Sequence, residues 1–131
     1  MKIDVKEMVA KADQEITALT AAEVQARLND PAYLLVDLRD IRELTRDGKI
    51  PGAFHAPRGM LEFWIDPDSP YHNEKFASGR TFIFYCSKGW RSALSTQTAQ
   101  NMGLTPVCHL AGGFEAWKEA GGQVEVVAKK A

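Results

Sequence analysis

The chain has 131 residues, 25% of them charged, with 16 basic and 17 acidic side chains for a formal net charge of −1. That length and balance fit one globular domain, expected over residues 1–131 with an N-terminal helix at about 4–16 and a core at about 17–124, and they supply no basic footprint for nucleic acid or a membrane surface. No apolar segment approaches the roughly 18 residues that cross a bilayer, and the interleaved acids of "MKIDVKEMVAKADQ" do not make a signal peptide, so the expected location is cytoplasmic.

Asp4 is placed to cap a first helix, with Glu7 three residues on, and Val5, Met8, Val9, Ala12 and Ile16 recur at helical spacing. This helix is expected to pack on the domain from outside. "ITAL" reads as a short strand, and "TAAE", Thr20 to Glu23, is a capping box opening a helix with Val24 and Leu28 on one face. Asn29, Asp30 and Pro31 end it. "YLLVDL" and "TFIFYC" are continuous apolar runs, the pattern of strands covered on both faces of a parallel sheet. Between them, residues 57 to 76 are rich in large side chains, Phe63, Trp64, Tyr71 and Phe76 among them. Here "GMLEFWI" reads as a helix covering one sheet face, in preference to a flap over the site or a partner surface. "RSALSTQTAQNMG" is a helix stopping at Gly103, "PVCHL" a short strand, and "GGFEAWKEAGG" a last helix with Phe114 and Trp117 facing inward. The alternation is that of an α/β fold.

Cys86 stands at the end of a predicted strand, where open parallel sheets gather their ligands. Cys86 and Cys108 are the only cysteines, which excludes a disulfide framework and a cysteine-rich zinc site, and leaves thiol chemistry open. "CSKGWR" joins the strand directly to a helix, so its backbone N–H groups can curl around the sulfur, with Gly89 supplying a positive φ. The helix start, Lys88 and Arg91 all favour thiolate over thiol. An inert core cysteine needs none of these features, and the nucleophile is the favoured reading. Cys108, inside "VCHL", is expected to be buried and inert. His55, His72 and His109 show no ligand spacing, so no metal is expected and His55 is read as a structural hydrogen-bonder.

"CSKGWRS" has the form C-x-x-G-x-R-S, and with "LLVDLRDIREL...GKIPGAFHAP" before it and "HLAGGFEAWKEAGGQV" after it the chain resembles the rhodanese family of sulfurtransferases. The resemblance implies a five-stranded, mainly parallel sheet with helices on both faces, and Cys86 as carrier of a transferred sulfur. The small anionic donor would be thiosulfate or another persulfide source, and the acceptor cyanide, a thiol or a sulfur-accepting protein. Neither a metal nor an organic cofactor is implied.

Within the loop, Ser87 to Ser92 would surround the persulfide, with Lys88 meeting the donor's sulfonate oxygens unless it is simply a solvated surface lysine. Arg91 closes the loop against Asp37 or Glu43. Ser92 either donates its hydroxyl or caps the helix, Trp90 walls the pocket or packs beside it, and Arg58 can face the site from near a predicted strand's end. Three rivals remain: a binding or persulfide-carrier module without turnover, a peroxide-sensing thiol, and an enzyme like the phosphatases and arsenate reductases. The last group encircles a tetrahedral oxyanion with one residue more between cysteine and arginine than the four found here.

Overall fold

The two continuous apolar runs become neighbouring strands at the centre of the sheet. In the structure, a computed structural model describing residues 1–129, β2 (Tyr33–Asp37) and β4 (Thr81–Tyr85) pair in parallel from Tyr33 opposite Thr81 to Asp37 opposite Tyr85. With β1 (Ala18–Leu19), β3 (Phe54–His55) and β5 (Val107–Leu110) the order is β1-β5-β4-β2-β3. Every strand pairing is parallel, a stricter arrangement than the mainly parallel sheet expected.

Successive side chains of a strand point to opposite faces, and here both faces are covered. Phe82 and Phe84 enter one core with Leu34, Val36, Leu61, Ile65 and Phe76, under α4 (Leu61–Ile65) and α5 (Trp90–Met102). Ile83 and Tyr85 enter the other with Val24, Leu35, Phe114 and Trp117, under α2 (Ala21–Arg27) and α6 (Gly113–Glu119). This double burial is the reason the strands show no polar alternation. No helix is long and apolar enough to cross a membrane among the described residues.

The helix ends follow the local signals. Asp4 accepts the Glu7 N–H at 2.8 Å to start α1 (Val5–Glu15), and Thr20 and Glu23 form the expected capping box at α2. α1 rests on α5, with Val9 and Ala12 buried beside Ala93. Val5 and Met8 remain exposed, because a helix docked on one neighbour buries a narrower stripe than the apolar spacing suggested. One α-helix was not anticipated: α3 (Ile41–Asp47), which a second capping box between Asp40 and Glu43 begins. In the 57–76 stretch, α4 covers the sheet face as expected through Leu61 and Ile65, while Phe63 and Tyr71 stand outside with their rings edge to face.

The strand order decides where a ligand can sit. From β4 the chain passes through α5 to β5 on one side, and from β2 through α3 to β3 on the other, so a crevice opens between the carboxyl ends of β2 and β4.

The outward and inward sides of α4 separate two truncations. Leu61→Ala, at a fully buried position, should lower the unfolding free energy by about 3 kcal/mol, and Phe63→Ala should change it by less than about 0.5 kcal/mol. Urea denaturation of both variants checks this, and equal losses would contradict the orientation of the helix.

Candidate active site

Immediately after β4 the chain turns inward on a sulfur atom. The Gly89 and Ser92 N–H groups lie 3.2 and 3.3 Å from Cys86 Sγ, and Ser92 Oγ lies 3.5 Å from it. Gly89 has φ 107°, the left-handed conformation that aims its N–H inward as α5 begins. Cys86 is only 1% exposed, at the floor of a cleft of about 280 Å³ lined by Glu43, Ser87, Lys88, Trp90 and Arg91.

A loop that points N–H groups inward must find donors for its outward carbonyls. α6 supplies them, since the first N–H groups of a helix have no partner of their own. Phe114 N–H donates to the Cys86 carbonyl at 2.8 Å and Glu115 N–H to that of Ser87 at 3.0 Å. The approach requires glycine: a Cβ at Gly113, where φ is 63°, would overlap the Cys86 carbonyl oxygen and sit 2.7 Å from the Ser87 carbonyl carbon.

Side chains clasp the loop from the other side. Arg91 Nη1 and Nη2 each donate to a Glu43 oxygen at 2.9 Å, and Ser87 Oγ donates to the same carboxylate at 3.0 Å. The Asp40 N–H adds a bond at 2.9 Å, so Glu43 starts α3 and holds the active loop at once. The Arg91 hydrogen bonds, helped by those from Asp40 and Ser87 and opposed by partial burial, pull the Glu43 pKa from 4.5 to about 2.

Of the two partners expected for Arg91, Glu43 is the one found. Asp37 is taken by Arg39, whose Nε and Nη2 reach its carboxylate at 3.0 and 2.8 Å in a fully buried pair, with the Gly48 carbonyl at 2.7 Å and the Phe114 ring at 4.4 Å. Two residues along the same chain, Arg39 reaches Asp37 inside the core, where Arg91 at the cleft does not come. Arg58 also departs from expectation: it pairs with Glu62, one helical turn on, at 2.7 Å and does not line the cleft. Lys88 and Trp90 are exposed at the rim, Trp90 forming part of the wall. Gly89 occupies the N-cap of α5, and Ser92 turns its hydroxyl inward instead of capping the helix.

The remaining thiol and imidazoles sort clearly. Burial pushes Cys108 up to about 11, and its sulfur faces the Phe82 carbonyl. His55 Nε2 lies 2.7 Å from the Arg39 carbonyl oxygen. His109 Nδ1, however, lies 2.9 Å from Ser92 Oγ, a contact the sequence reading missed. Its place inside "VCHL" marked it as buried, and no local pattern could reveal its neighbour on α5. Among the described residues no group of three metal-ligating side chains could hold an ion.

Residues 20–120 match the rhodanese-like domain model. The chain belongs to the rhodanese-like domain family. α1 lies ahead of the matched region. Thiosulfate sulfurtransferase/rhodanese-like domain-containing protein 3 of Mus musculus is 29% identical over 76% of this chain, which spans 66% of that protein's length. A thiosulfate sulfurtransferase from Pseudomonas aeruginosa is 28% identical, with a TM-score of 0.73 over 88% of this chain and 21% of its own. A Rhodopseudomonas palustris CGA009 protein of unknown function, named a possible tyrosine phosphatase, is 50% identical with a TM-score of 0.93, covering 95% of this chain and 96% of its own. The rhodanese-like match thus takes in β2 to β5 and α2 to α6.

Because folding lowers the Glu43 pKa, the clasp stabilises the fold fully above about pH 4.5 and loses that contribution as pH falls toward about 2. Glu43→Gln should therefore be less stable near neutrality and lose less stability than wild type across that window. Chemical denaturation at stepped pH measures the two slopes; parallel slopes would remove Glu43 as the acid-sensitive group.

Proposed function

We propose that this protein is a sulfurtransferase moving a sulfane sulfur from thiosulfate, or another persulfide donor, through a persulfide on Cys86 to cyanide or a thiol. The observation that carries this reading is the pair of N–H groups, from Gly89 and Ser92, converging on Sγ at the floor of a cleft lined by Lys88 and Arg91. The Cys86 thiolate attacks the outer sulfur of thiosulfate; the new S–S bond forms as the old one breaks, and sulfite leaves with the electron pair. An incoming thiolate or cyanide then attacks the terminal sulfur and returns the electron pair to Sγ. Backbone N–H groups suit the persulfide anion because they stabilise it without reacting with it. Electrons balance within the two steps, so neither needs a redox cofactor. A sulfur-accepting protein is a natural second acceptor.

The likeness to the Rhodopseudomonas protein favours a second reading, phosphate ester hydrolysis. Arg91 weighs against it, since both terminal nitrogens are engaged by Glu43 and the loop has only four residues between Cys86 and Arg91. Mass spectrometry after incubation with thiosulfate should show the gain of one sulfur atom, removed by cyanide and absent in Cys86→Ser. A protein that loads sulfur and never releases it would be a carrier, and turnover of aryl phosphates at a comparable rate would favour the phosphatase.

The two loop cations should separate kinetically. Lys88, exposed at the rim, attracts the dianion: Lys88→Ala should raise KM for thiosulfate, and salt should weaken the wild type similarly, since exposed charges are screened over about 8 Å at physiological ionic strength. Arg91→Ala should release the clasp and chiefly lower kcat. Steady-state kinetics with both variants decide the assignment; a larger kcat loss in Lys88→Ala would reverse it.

A further inference from the structure

α1 lies outside the region that matches the family, yet a line of side chains joins it to the active sulfur. Asp13 Oδ1 on α1 is 3.9 Å from His109 Nε2, and His109 Nδ1 is 2.9 Å from Ser92 Oγ. That hydroxyl is in turn 3.5 Å from Cys86 Sγ and 3.3 Å from the Gly89 carbonyl oxygen. His109 is 4% exposed, so water does not compete freely for its ring.

Ser92 has one hydroxyl proton and three acceptors in reach: Sγ, the Gly89 carbonyl and an unprotonated Nδ1. Neutral His109 with its proton on Nε2, toward Asp13, accepts that hydrogen at Nδ1 and draws it from the sulfur. Protonated His109 donates from Nδ1 to Ser92 Oγ, which releases the hydroxyl proton. A thiolate, being charged, is then a stronger acceptor than the Gly89 carbonyl. We propose that His109 is a positioning residue whose protonation decides whether Ser92 donates to the Cys86 sulfur, with Asp13 of α1 biasing that protonation.

The surroundings of His109 hold few competing charges. Its sheet neighbours are Ala18 on β1 and Phe84 on β4, neither ionisable. α5 presents Ser92, the loop after β4 presents Cys86, and α1 presents Asp13; Arg91 is held by Glu43. Burial lowers the His109 pKa and Asp13 partly offsets it.

The test needs no sulfur donor or acceptor, so it stands apart from the proposed reaction. Alkylation of Cys86 by iodoacetamide, identified on its peptide, is divided at each pH by the thiolate fraction from ultraviolet absorbance. The three histidine rings are titrated in parallel by NMR. A thiolate that loses a hydrogen bond becomes more nucleophilic, so the wild-type ratio should rise about threefold as His109 loses its proton. Ser92→Ala and His109→Phe should abolish the rise. Asp13→Asn should move both the rise and the His109 signal about 0.3 pH unit lower, as a half-exposed carboxylate allows. A flat wild-type ratio, or a rise that persists in Ser92→Ala, overturns the proposal, and an unmoved signal in Asp13→Asn removes α1 from it. Should His109→Phe fail to fold, the Ser92 and Asp13 variants still decide.

Discussion

The structure depends on one inverted stretch of backbone. For N–H groups to converge on Cys86 Sγ, the carbonyls of Cys86 and Ser87 must point away, and buried carbonyls need donors. The first turn of α6 provides them, and the contact is close enough that only glycine fits at Gly113. The closing motif, far along the chain from the cysteine, is thus the back wall of the active loop. A helix with spare N–H groups and a loop with spare carbonyls satisfy each other.

The front of the loop is held by charge. Glu43 accepts from Arg91, Ser87 and the Asp40 backbone, linking the crossover after β2 to the loop after β4 across the crevice of the sheet. This use of Arg91 leaves the sulfur's immediate surroundings to backbone groups and the Ser92 hydroxyl. Beneath it, the fully buried Asp37–Arg39 pair fixes the turn leaving β2 from which α3 starts. The loop therefore presents N–H donors in fixed positions around Sγ.

The family match covers strands β2 to β5, the loop and both walls, and begins after α1 and β1. That helix covers the small residues of α5, beside Ala93, and places Asp13 near His109. A helix outside the matched residues thus comes within two side chains, His109 and Ser92, of the Cys86 sulfur, because α5 carries the sulfur's donors on its first turn and α1 on its flank.

Much of this was legible along the chain because the signals are local. Continuous apolar runs placed β2 and β4, capping residues placed α1 and α2, and a glycine with two cations after a strand marked Cys86 as the candidate reactive centre. Even α3 had its signal in Asp40 and Glu43, though it went unread. Partner choice was another matter. Whether Arg91 met Asp37 or Glu43, whether Arg58 reached the cleft and what lay beside Ser92 depend on the approach of residues 17 to 48 positions apart or on competition from nearer groups, as when Arg39 claims Asp37 and Glu62 claims Arg58. Sequence by itself determined most of the elements and singled out Cys86 as the candidate nucleophile, since both rest on neighbouring residues; only the tertiary structure decided which charges and hydroxyls surround the sulfur, since that requires the strands to be in register.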